Sequence, residues 1–404
     1  MSDETMTSFP AKRLGTMPTA GPVAVAESAR PSVGAGAPRP RVSVVLAVRN
    51  EAPFIEACLE RLLGQDYPPH LVDLVVVDGC SDDGTAAIVR DVQRRHRDRR
   101  IRLLNNPQLR VAPGLNLGLR AATGEVIVRM DGHTVPDRTY LSACVATLER
   151  TGAANVGGVI EAVGTTPFGR AVALAIGHRL GAGDARFRVG GGPGEVDTVP
   201  FGAFRRDLFD RIGLYDESMV CNEDYELNAR VRAAGERVYL DPTIRSSYTP
   251  RGTARELWRQ YFRYGWWRVE TLRRHRWSLR WRQALPPTFV GGMVALAVAA
   301  PWSAWAATLL ALCLAGYLVV VGLVGAVLAR TASAHPAAVG AAFIILHLAY
   351  GSGFLLGLVT GGRIPYRAAP PNVPPLAATS DHRRAGPAAE RWDAFVDQQR
   401  PVSP

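Results

Sequence analysis

The sequence predicts an α/β domain with a doubly wound, mainly parallel sheet, followed by helices long enough to cross a membrane. Three observations lead to this prediction. Continuous apolar runs such as Val42–Val48 are typical of strands that are buried on both faces of a parallel sheet. These runs alternate with segments in which apolar residues recur at helical spacing. After about residue 285 the composition turns apolar, over stretches that reach the roughly 20 residues of a spanning helix.

The predicted strands and helices of the α/β domain follow one another closely. The predicted strands cover residues 42–48, 74–77, 101–104, 126–128, 155–163, 197–204 and 237–240. The predicted helices cover residues 54–63, 85–94, 112–122, 140–150, 168–177 and 222–232. A glycine-rich stretch over 181–194 is predicted to be a loop of the kind that orders when a ligand binds. No GxGxxG motif follows the first strand, which argues against a classical dinucleotide-binding domain.

The composition divides the chain into five segments. Residues 1–40 and 363–404 are rich in proline and alanine and are predicted to be disordered tails. The α/β domain takes residues 41–250. A basic, aromatic helix region over 251–284 is predicted to be amphipathic and to lie at a membrane interface. Residues 285–362 then supply two or three transmembrane helices.

The formal net charge is +11, and almost all of the positive charge is arginine, since Lys12 is the only lysine. Many arginines lie within 273–282, directly before the apolar stretches, which favours a membrane over a nucleic acid as the partner. The positive-inside rule then predicts a multi-pass cell-membrane protein whose α/β domain is cytoplasmic. Three spans would place Arg363 and Arg367 outside, whereas two spans with a re-entrant first segment would keep them inside. The five cysteines form no CxxC pair, so neither a zinc site nor a disulfide framework is predicted.

Acidic residues lie at two predicted strand ends and at one predicted helix start. Asp78 follows the second strand, Asp131 and His133 follow the strand over 126–128, and Glu223 with Asp224 begin a helix. Ligands of open α/β sheets bind outside the carboxyl ends of the strands. A carboxylate and an imidazole two positions apart suit a divalent cation, and the imidazole favours Mn²⁺ over Mg²⁺. Each position also has a simpler interpretation, either as an Asp-Gly turn or as acids that favour the helix dipole.

Six short motifs together resemble those of a known family. They are Val44-Val-Leu-Ala-Val-Arg-Asn-Glu51, Val75-Val-Val-Asp-Gly-Cys-Ser-Asp-Asp-Gly-Thr85, Gly114-Leu-Asn-Leu-Gly118, Arg129-Met-Asp-Gly-His133, Asn222-Glu-Asp224 and Arg259-Gln-Tyr-Phe-Arg-Tyr-Gly265. The chain resembles the inverting glycosyltransferases of family 2, which have the GT-A fold, over roughly residues 41–274. Within that family it is similar to the succinoglycan-type exopolysaccharide transferases, which also carry membrane segments after the catalytic domain.

The resemblance implies a nucleotide-diphospho-sugar donor and a set of residues that bind it. Asp78 would contact the base, and Glu51 would form part of the same pocket. Arg129 lies in the matched motif and would contact the donor. Asn116 is either a phosphate or ribose contact or an ordinary helix residue.

The resemblance also implies a metal site and a general base. Asp131 and His133 occupy the position of the family's DxD motif and would hold Mn²⁺ or Mg²⁺ on the diphosphate, with His133 replacing the second aspartate. Asp224 would be the catalytic base that takes the proton of the acceptor hydroxyl, and Glu223 would orient it or raise its pKa.

The segment that contains Gln260 and Arg263 resembles the QxxRW element of processive synthases, with Tyr264 in place of the tryptophan. It implies that Gln260 and Arg263 contact the donor diphosphate, while the same helix also suits the membrane interface. His347 lies within the last apolar stretch, either as a functional group at membrane depth or as an imidazole packed between helices.

These expectations define one leading function and two alternatives. The leading function is a membrane-anchored inverting hexosyltransferase that uses a lipid-linked saccharide acceptor in polysaccharide or cell-envelope glycan biosynthesis. The first alternative is a polyprenyl-phosphate sugar synthase, in which the lipid phosphate is the acceptor. The second is a degenerate, non-catalytic membrane scaffold.

Overall fold

The computed structural model describes residues 38–331 and 334–361, so almost all of the two predicted tails lies outside the described residues. Within these ranges the strands are β1 (Val42–Val48), β2 (Val72–Asp78), β3 (Arg100–Asn105), β4 (Val126–Met130), β5 (Thr134–Pro136), β6 (Asn155–Ala162), β7 (Gly194–Glu195), β8 (Ala203–Arg205) and β9 (Val238–Tyr248). The α-helices are α1 (Ile55–Leu63), α2 (Thr85–Arg95), α3 (Val111–Ala121), α4 (Tyr140–Thr151), α5 (Pro167–Gly177), α6 (Arg179–Ala182), α7 (Arg186–Val189), α8 (Asp207–Ile212), α9 (Glu223–Ala233), α10 (Ala254–Arg274), α11 (Trp281–Ala299), α12 (Ala304–Ala329) and α13 (Pro336–Val359).

The strands form one mixed sheet in the order β3-β2-β1-β4-β8-β6-β9-β5, with β7 also paired to β9. The first half of this order is parallel, because β1 pairs in parallel with both β2 and β4. Strand β8 runs antiparallel to β4 and β6, and β9 pairs antiparallel with β5. The α/β prediction is therefore confirmed, with more antiparallel pairing than a doubly wound sheet has.

The register of the parallel half brings three strand ends to one edge. Val48 lies opposite Asp78, and Leu46 lies opposite Met130. The segments that follow β1, β2 and β4 therefore leave the sheet side by side. Two apolar cores, one on each face of the sheet, bury these strands almost completely.

The largest departure from the predicted elements is in residues 197–204, which were expected to form one strand. Only Ala203–Arg205 pairs, because Phe201 and Gly202 have φ angles of 62° and 90° and break the extended backbone. The glycine-rich stretch also differs from the predicted loop, since α6, α7 and β7 lie within or at its ends. Strand β9 extends to Tyr248, eight residues beyond its predicted end.

Three helices are long and apolar enough to cross a membrane by length and composition, namely Trp281–Trp302, Ala304–Ala329 and Pro336–Val359. The first begins earlier than the sequence predicts, and it contains Pro286 and Pro287. Helix α10 packs closely against α13 through glycines. A Cβ atom on Gly353 would lie 2.0 Å from the carbonyl oxygen of Phe262, so the two backbones touch at this position.

His347 connects two of these helices to the α/β domain. Its Nδ1 lies 2.9 Å from the Tyr317 hydroxyl of α12, and its Nε2 lies 2.8 Å from the Leu180 carbonyl oxygen of α6. A neutral ring satisfies both contacts, since one nitrogen accepts from tyrosine while the other donates to the carbonyl. The structure therefore supports the packed interpretation of this histidine.

We expect Gly353→Ala to lower the melting temperature of the purified protein, because the added methyl group cannot fit against the Phe262 carbonyl. Overpacking of this kind costs about 1–3 kcal/mol. Gly316→Ala is the matched control, since a Cβ atom there meets nothing within 4 Å and alanine favours the helix. Equal melting temperatures for the two variants in detergent would contradict the close packing of α10 on α13.

Candidate active site

The segments after β1 and β2 are locked together by hydrogen bonds. The Asn50 amide donates to Ser81 Oγ at 2.9 Å, and the Glu51 amide donates to Thr85 Oγ1 at 2.8 Å. The buried Asp78 carboxylate accepts from Ser81 through both oxygens, at 2.5 Å from Oγ and 3.1 Å from the amide nitrogen. Each carboxylate oxygen has a second lone pair, so Asp78 remains able to accept from a ligand.

Arg129 joins β4 to the start of α9. Its Nη2 lies 3.0 Å from a Glu223 oxygen and 3.3 Å from an Asp131 oxygen, and its Nη1 lies 3.8 Å from an Asp224 oxygen. The Arg129 side chain is only 8% exposed. Burial by itself lowers the pKa of Arg129, but the surrounding carboxylates raise it well above its ordinary value. Arg129 is therefore a fixed positive charge that draws three acidic side chains together.

The two adjacent acids of α9 lie in different environments. The Glu223 side chain is 10% exposed and the Asp224 side chain is 37% exposed. Burial raises the pKa of Glu223, which Arg129 opposes and Asp224 reinforces. Asn222, directly before them, has a left-handed backbone with φ of 63°, a conformation that asparagine tolerates better than most residues. Glu223 is therefore held by Arg129, while Asp224 faces the open space beside it.

His133 and Asp131 lie in the turn that follows β4. His133 Nδ1 is 2.9 Å from a Glu51 oxygen. A histidine that donates from Nδ1 to a carboxylate keeps its lone pair at Nε2, which is the arrangement common to metal-binding histidines. Burial lowers the pKa of His133, but the hydrogen bond to Glu51 and the charge of nearby carboxylates outweigh this and raise it. A proton and a metal ion therefore compete for this ring.

The residues present fit a divalent cation that is shared with a substrate. Among residues 38–331 and 334–361, no cluster of three or more metal-ligating side chains occurs. Asp131 and His133 supply two donors, and Mg²⁺ or Mn²⁺ sites of this kind take their remaining ligands from substrate phosphates and water. Two protein donors next to an open cavity are consistent with such a site.

One cavity of about 550 Å³ extends from the sheet edge to α11 and α13, two of the helices long enough to cross a membrane. Eight of the residues that the sequence singled out line it, namely Glu51, Arg129, Asp131, His133, Glu223, Asp224, Gln260 and Arg263. Its other end is lined by apolar and aromatic side chains, including Ile176, Leu257, Leu346 and Tyr350. The cavity is therefore polar and charged at one end and apolar at the other.

Two of the sequence-derived site residues lie apart from this cavity. Asp78 is in the neighbouring strand-end segment already described. Asn116 is 2% exposed, and its amide donates to the Tyr215 carbonyl and to Glu217, both at 2.9 Å, while its oxygen accepts from the Tyr215 amide. In this conformation the Asn116 side chain holds the segment before α9 in place and is not available to a nucleotide.

The structure adds residues that sequence reasoning missed. Arg188 and Tyr248 line the cavity and hydrogen-bond to each other at 2.6 Å. Arg282, at the start of α11, binds Asp184 of the glycine-rich stretch and Asp197, which follows that stretch. These pairs join positions far apart in the sequence, so no motif spacing could have revealed them. The position of Arg188 within the glycine-rich stretch was the only available signal.

Comparisons with known proteins match this architecture. Residues 43–213 match the model of glycosyl transferase family 2. The succinoglycan biosynthesis protein ExoA of Rhizobium meliloti (strain 1021) is 32% identical over 77% of this chain and 93% of its own length. A dolichyl N-acetyl-α-D-glucosaminyl phosphate 3-β-D-2,3-diacetamido-2,3-dideoxy-β-D-glucuronosyltransferase of Methanococcus voltae is 24% identical over 59% of this chain and 76% of its own.

A solved structure shows the same fold. The mannosyltransferase PcManGT of Pyrobaculum calidifontis, in complex with GDP-Man and Mn²⁺, is 25% identical and superposes with a TM-score of 0.53. The match covers 76% of this chain and 86% of that one. The chain is therefore a glycosyltransferase with a GT-A fold and three apolar helices after its catalytic domain. It belongs to glycosyltransferase family 2 and is a relative of a succinoglycan biosynthesis protein.

We expect Arg129→Leu to destabilise the protein by about 3–5 kcal/mol, because it leaves Glu223 buried beside two other carboxylates with no cation. The measurement is the melting temperature in detergent. Arg205→Leu on β8 is the control, since Arg205 is exposed and its loss changes stability by less than about 0.5 kcal/mol. A double variant that also carries Glu223→Gln should recover part of the loss, and no recovery would contradict the assigned ion pair.

Proposed function

We propose that this enzyme is an inverting hexosyltransferase that moves a sugar from a nucleoside-diphosphate sugar to a lipid-linked saccharide acceptor in polysaccharide or cell-envelope glycan biosynthesis. The observation that carries the proposal is the single cavity between the acidic sheet edge and the candidate membrane helices. A lipid-linked acceptor needs a polar reaction centre and an apolar surface on one continuous path. The match to ExoA over almost its whole length supports a polysaccharide product.

Asp224 is the residue suited to be the base. An acceptor hydroxyl loses its proton as it attacks the anomeric carbon, and the carboxylate that takes the proton must come within about 2.6–3.2 Å of it. Of the two acids at the start of α9, Asp224 is the more exposed and lines the cavity. Glu223 is a positioning residue, because its ion pair with Arg129 fixes the first turn of the helix.

The donor diphosphate belongs at Asp131 and His133, beside the cationic Arg129. A divalent cation held there would stabilise the negative charge of the leaving nucleoside diphosphate. The mannosyltransferase with Mn²⁺ and GDP-Man supports both a metal and a nucleotide-sugar, and His133 favours Mn²⁺ over Mg²⁺. Glu51 orients His133 by its hydrogen bond. Asp78 would accept a hydrogen bond from the nucleobase of the donor. Gln260 and Arg263 line the same cavity from α10.

The membrane arrangement of the proposal rests on charge. Residues 273–282, from the end of α10 to the start of α11, carry five arginines, which favours the cytoplasmic side for the catalytic domain. The protein would then be a multi-pass cell-membrane protein that receives soluble nucleotide-sugars on one side. Helix α10 contacts α13 along its length and so lies at the boundary between the two parts.

A polyprenyl-phosphate sugar synthase is the alternative enzyme, with the lipid phosphate as the nucleophile. A phosphate anion requires no proton removal, so such an enzyme would not depend on a base at Asp224. The degenerate scaffold is not retained, because the chain belongs to a glycosyltransferase family and its acidic residues converge on one cavity.

We expect Asp224→Asn to lower kcat by about 10²–10⁴-fold while donor binding is retained, since the amide cannot accept the hydroxyl proton. Turnover is measured with a lipid-linked saccharide acceptor, and donor binding by the thermal shift with nucleotide-sugar and Mn²⁺. Asp207→Asn is the control, because that carboxylate is exposed on α8. Full activity of Asp224→Asn would favour the lipid-phosphate synthase, and an NMR spectrum showing a product of unchanged anomeric configuration would exclude inversion.

We expect Asp131→Ala to abolish the Mn²⁺-dependent stabilisation of the protein by its nucleotide-sugar, because only one protein ligand of the cation remains. His133→Ala should reduce the same shift, and Asp98→Ala, at an exposed position after α2, should leave it unchanged. The measurement is a thermal-shift series over a panel of GDP- and UDP-sugars with and without Mn²⁺. A donor-induced shift of equal size in Asp131→Ala would show that the cation binds elsewhere.

A further inference from the structure

Arg188 is a cation in the cavity that no carboxylate balances within the part of the chain that the structure describes. It lies on α7, between glycines of the glycine-rich region. Its guanidinium donates to the Tyr248 hydroxyl at 2.6 Å and lies 5.6 Å from the centre of the same ring. The side chain is partly buried and takes part in no ion pair among the described residues.

Two other arginines that line the same cavity are paired with acids. Arg129 contacts Glu223, Asp131 and Asp224. Arg282 contacts Asp184 and Asp197. A guanidinium removed from bulk water is costly unless an anion compensates it. Arg188 differs from these two in having no carboxylate partner among the described residues. Arg268, a buried arginine of the same cavity, also has none, but it donates to the Ser278 carbonyl and hydroxyl.

The groups around Arg188 are neutral. The side chains that most affect its pKa, apart from burial itself, are Tyr248, Tyr261 and Tyr264. Burial raises the pKa of Tyr261 to about 12 and raises that of Tyr264 as well, so both remain protonated at physiological pH. Hydroxyls can accept hydrogen bonds from the guanidinium but supply no negative charge. An anionic ligand in the cavity would supply it.

The tyrosines next to Arg188 belong to elements that line different parts of the cavity. Its partner Tyr248 lies opposite Thr134 in the sheet, and Thr134 directly follows His133 of the proposed metal site. Tyr261 belongs to α10, which packs against α13. The apolar side chains of Val172, Ile176 and Leu346 line the same cavity.

We propose that Arg188 binds a phosphoryl group of the lipid-linked acceptor and thereby selects acceptors that carry one. This inference rests on the proposed function, and it adds the residue that recognises the charged head of the lipid. Asp224, Arg188 and a group of apolar side chains all line this one cavity, so it offers a contact for each part of such an acceptor: sugar hydroxyl, phosphoryl and hydrocarbon. A planar guanidinium suits phosphate oxygens because it can donate two parallel hydrogen bonds.

The test measures binding of farnesyl phosphate, farnesol and inorganic phosphate to the full-length protein in detergent. Farnesyl phosphate and farnesol differ only in the phosphoryl group. We expect the wild type to prefer farnesyl phosphate and Arg188→Gln to weaken its binding about 10–100-fold, with farnesol unchanged. The affinity of Arg188→Lys for farnesyl phosphate should lie between those of the wild type and Arg188→Gln, because lysine keeps the charge without the planar guanidinium. Arg186→Gln is the matched control, since Arg186 lies on the same turn but lines a different cavity.

Three results would overturn the proposal. The first is unchanged farnesyl phosphate binding in Arg188→Gln. The second is a loss of nucleotide-sugar binding in Arg188→Gln, measured with Mn²⁺, that is as large as its loss of farnesyl phosphate binding. That result would place the donor diphosphate at Arg188. The third is inorganic phosphate that binds as tightly as farnesyl phosphate, which would indicate a site for the free anion.

Tyr248→Phe separates recognition from structural support. It removes the hydroxyl that accepts from Arg188 and keeps the ring, so we expect it to change farnesyl phosphate binding by less than about threefold. A loss as large as that of Arg188→Gln would show that Arg188 acts by holding Tyr248, against the proposal. Melting temperatures are measured for every variant. A wild-type protein that binds no nucleotide-sugar would instead count against the proposed function, whatever the farnesyl phosphate result.

Discussion

The catalytic edge of this protein depends on the charge of Arg129. Three carboxylates would repel one another at these distances, and two of them belong to a helix that is distant in sequence from β4. A buried guanidinium resolves this repulsion and at the same time docks the start of α9 on the end of β4. The same charge lies beside the proposed diphosphate position. One residue therefore contributes to folding and to the electrostatics of the site, and replacing it cannot affect only one of them.

The accuracy of each sequence prediction depends on how far apart along the chain the interacting residues lie. Continuous apolar strands and helical periodicity are local, so β1, β2 and α2 were predicted to within a few residues. The motifs around Asp131 and Asp224 indicated two acids that line one cavity, and the shared edge of parallel strand ends accounts for the position of Asp131. Residues 197–204 were predicted wrongly, because hydrophobicity does not report the left-handed backbone at Phe201. The role of Asn116 was likewise hidden, since its partners lie about a hundred residues away.

Near the proposed active site, the catalytic domain and the apolar helices are joined by hydrogen bonds between charged and polar side chains. Arg282 of α11 donates to Asp184 at 2.7 Å and also to Asp197, and Asp197 accepts from the hydroxyl of Tyr225. Tyr225 follows Asp224 directly in α9. The first candidate membrane helix is thus two hydrogen bonds away from the residue next to the proposed base.

This connection gives a physical reason for the membrane helices to matter to catalysis beyond anchoring. Charged pairs that are largely removed from water are strong only in a narrow geometry, because each ion has lost its hydration. A displacement of α11 would therefore cost the Arg282 pairs and release Asp197, which fixes Tyr225. His347 makes a second polar connection, to the Leu180 carbonyl at the other end of the glycine-rich region. The region that carries Arg188 is held between these two points, so its position over the cavity is set by α11 and α13, two helices that are long and apolar enough to cross a membrane.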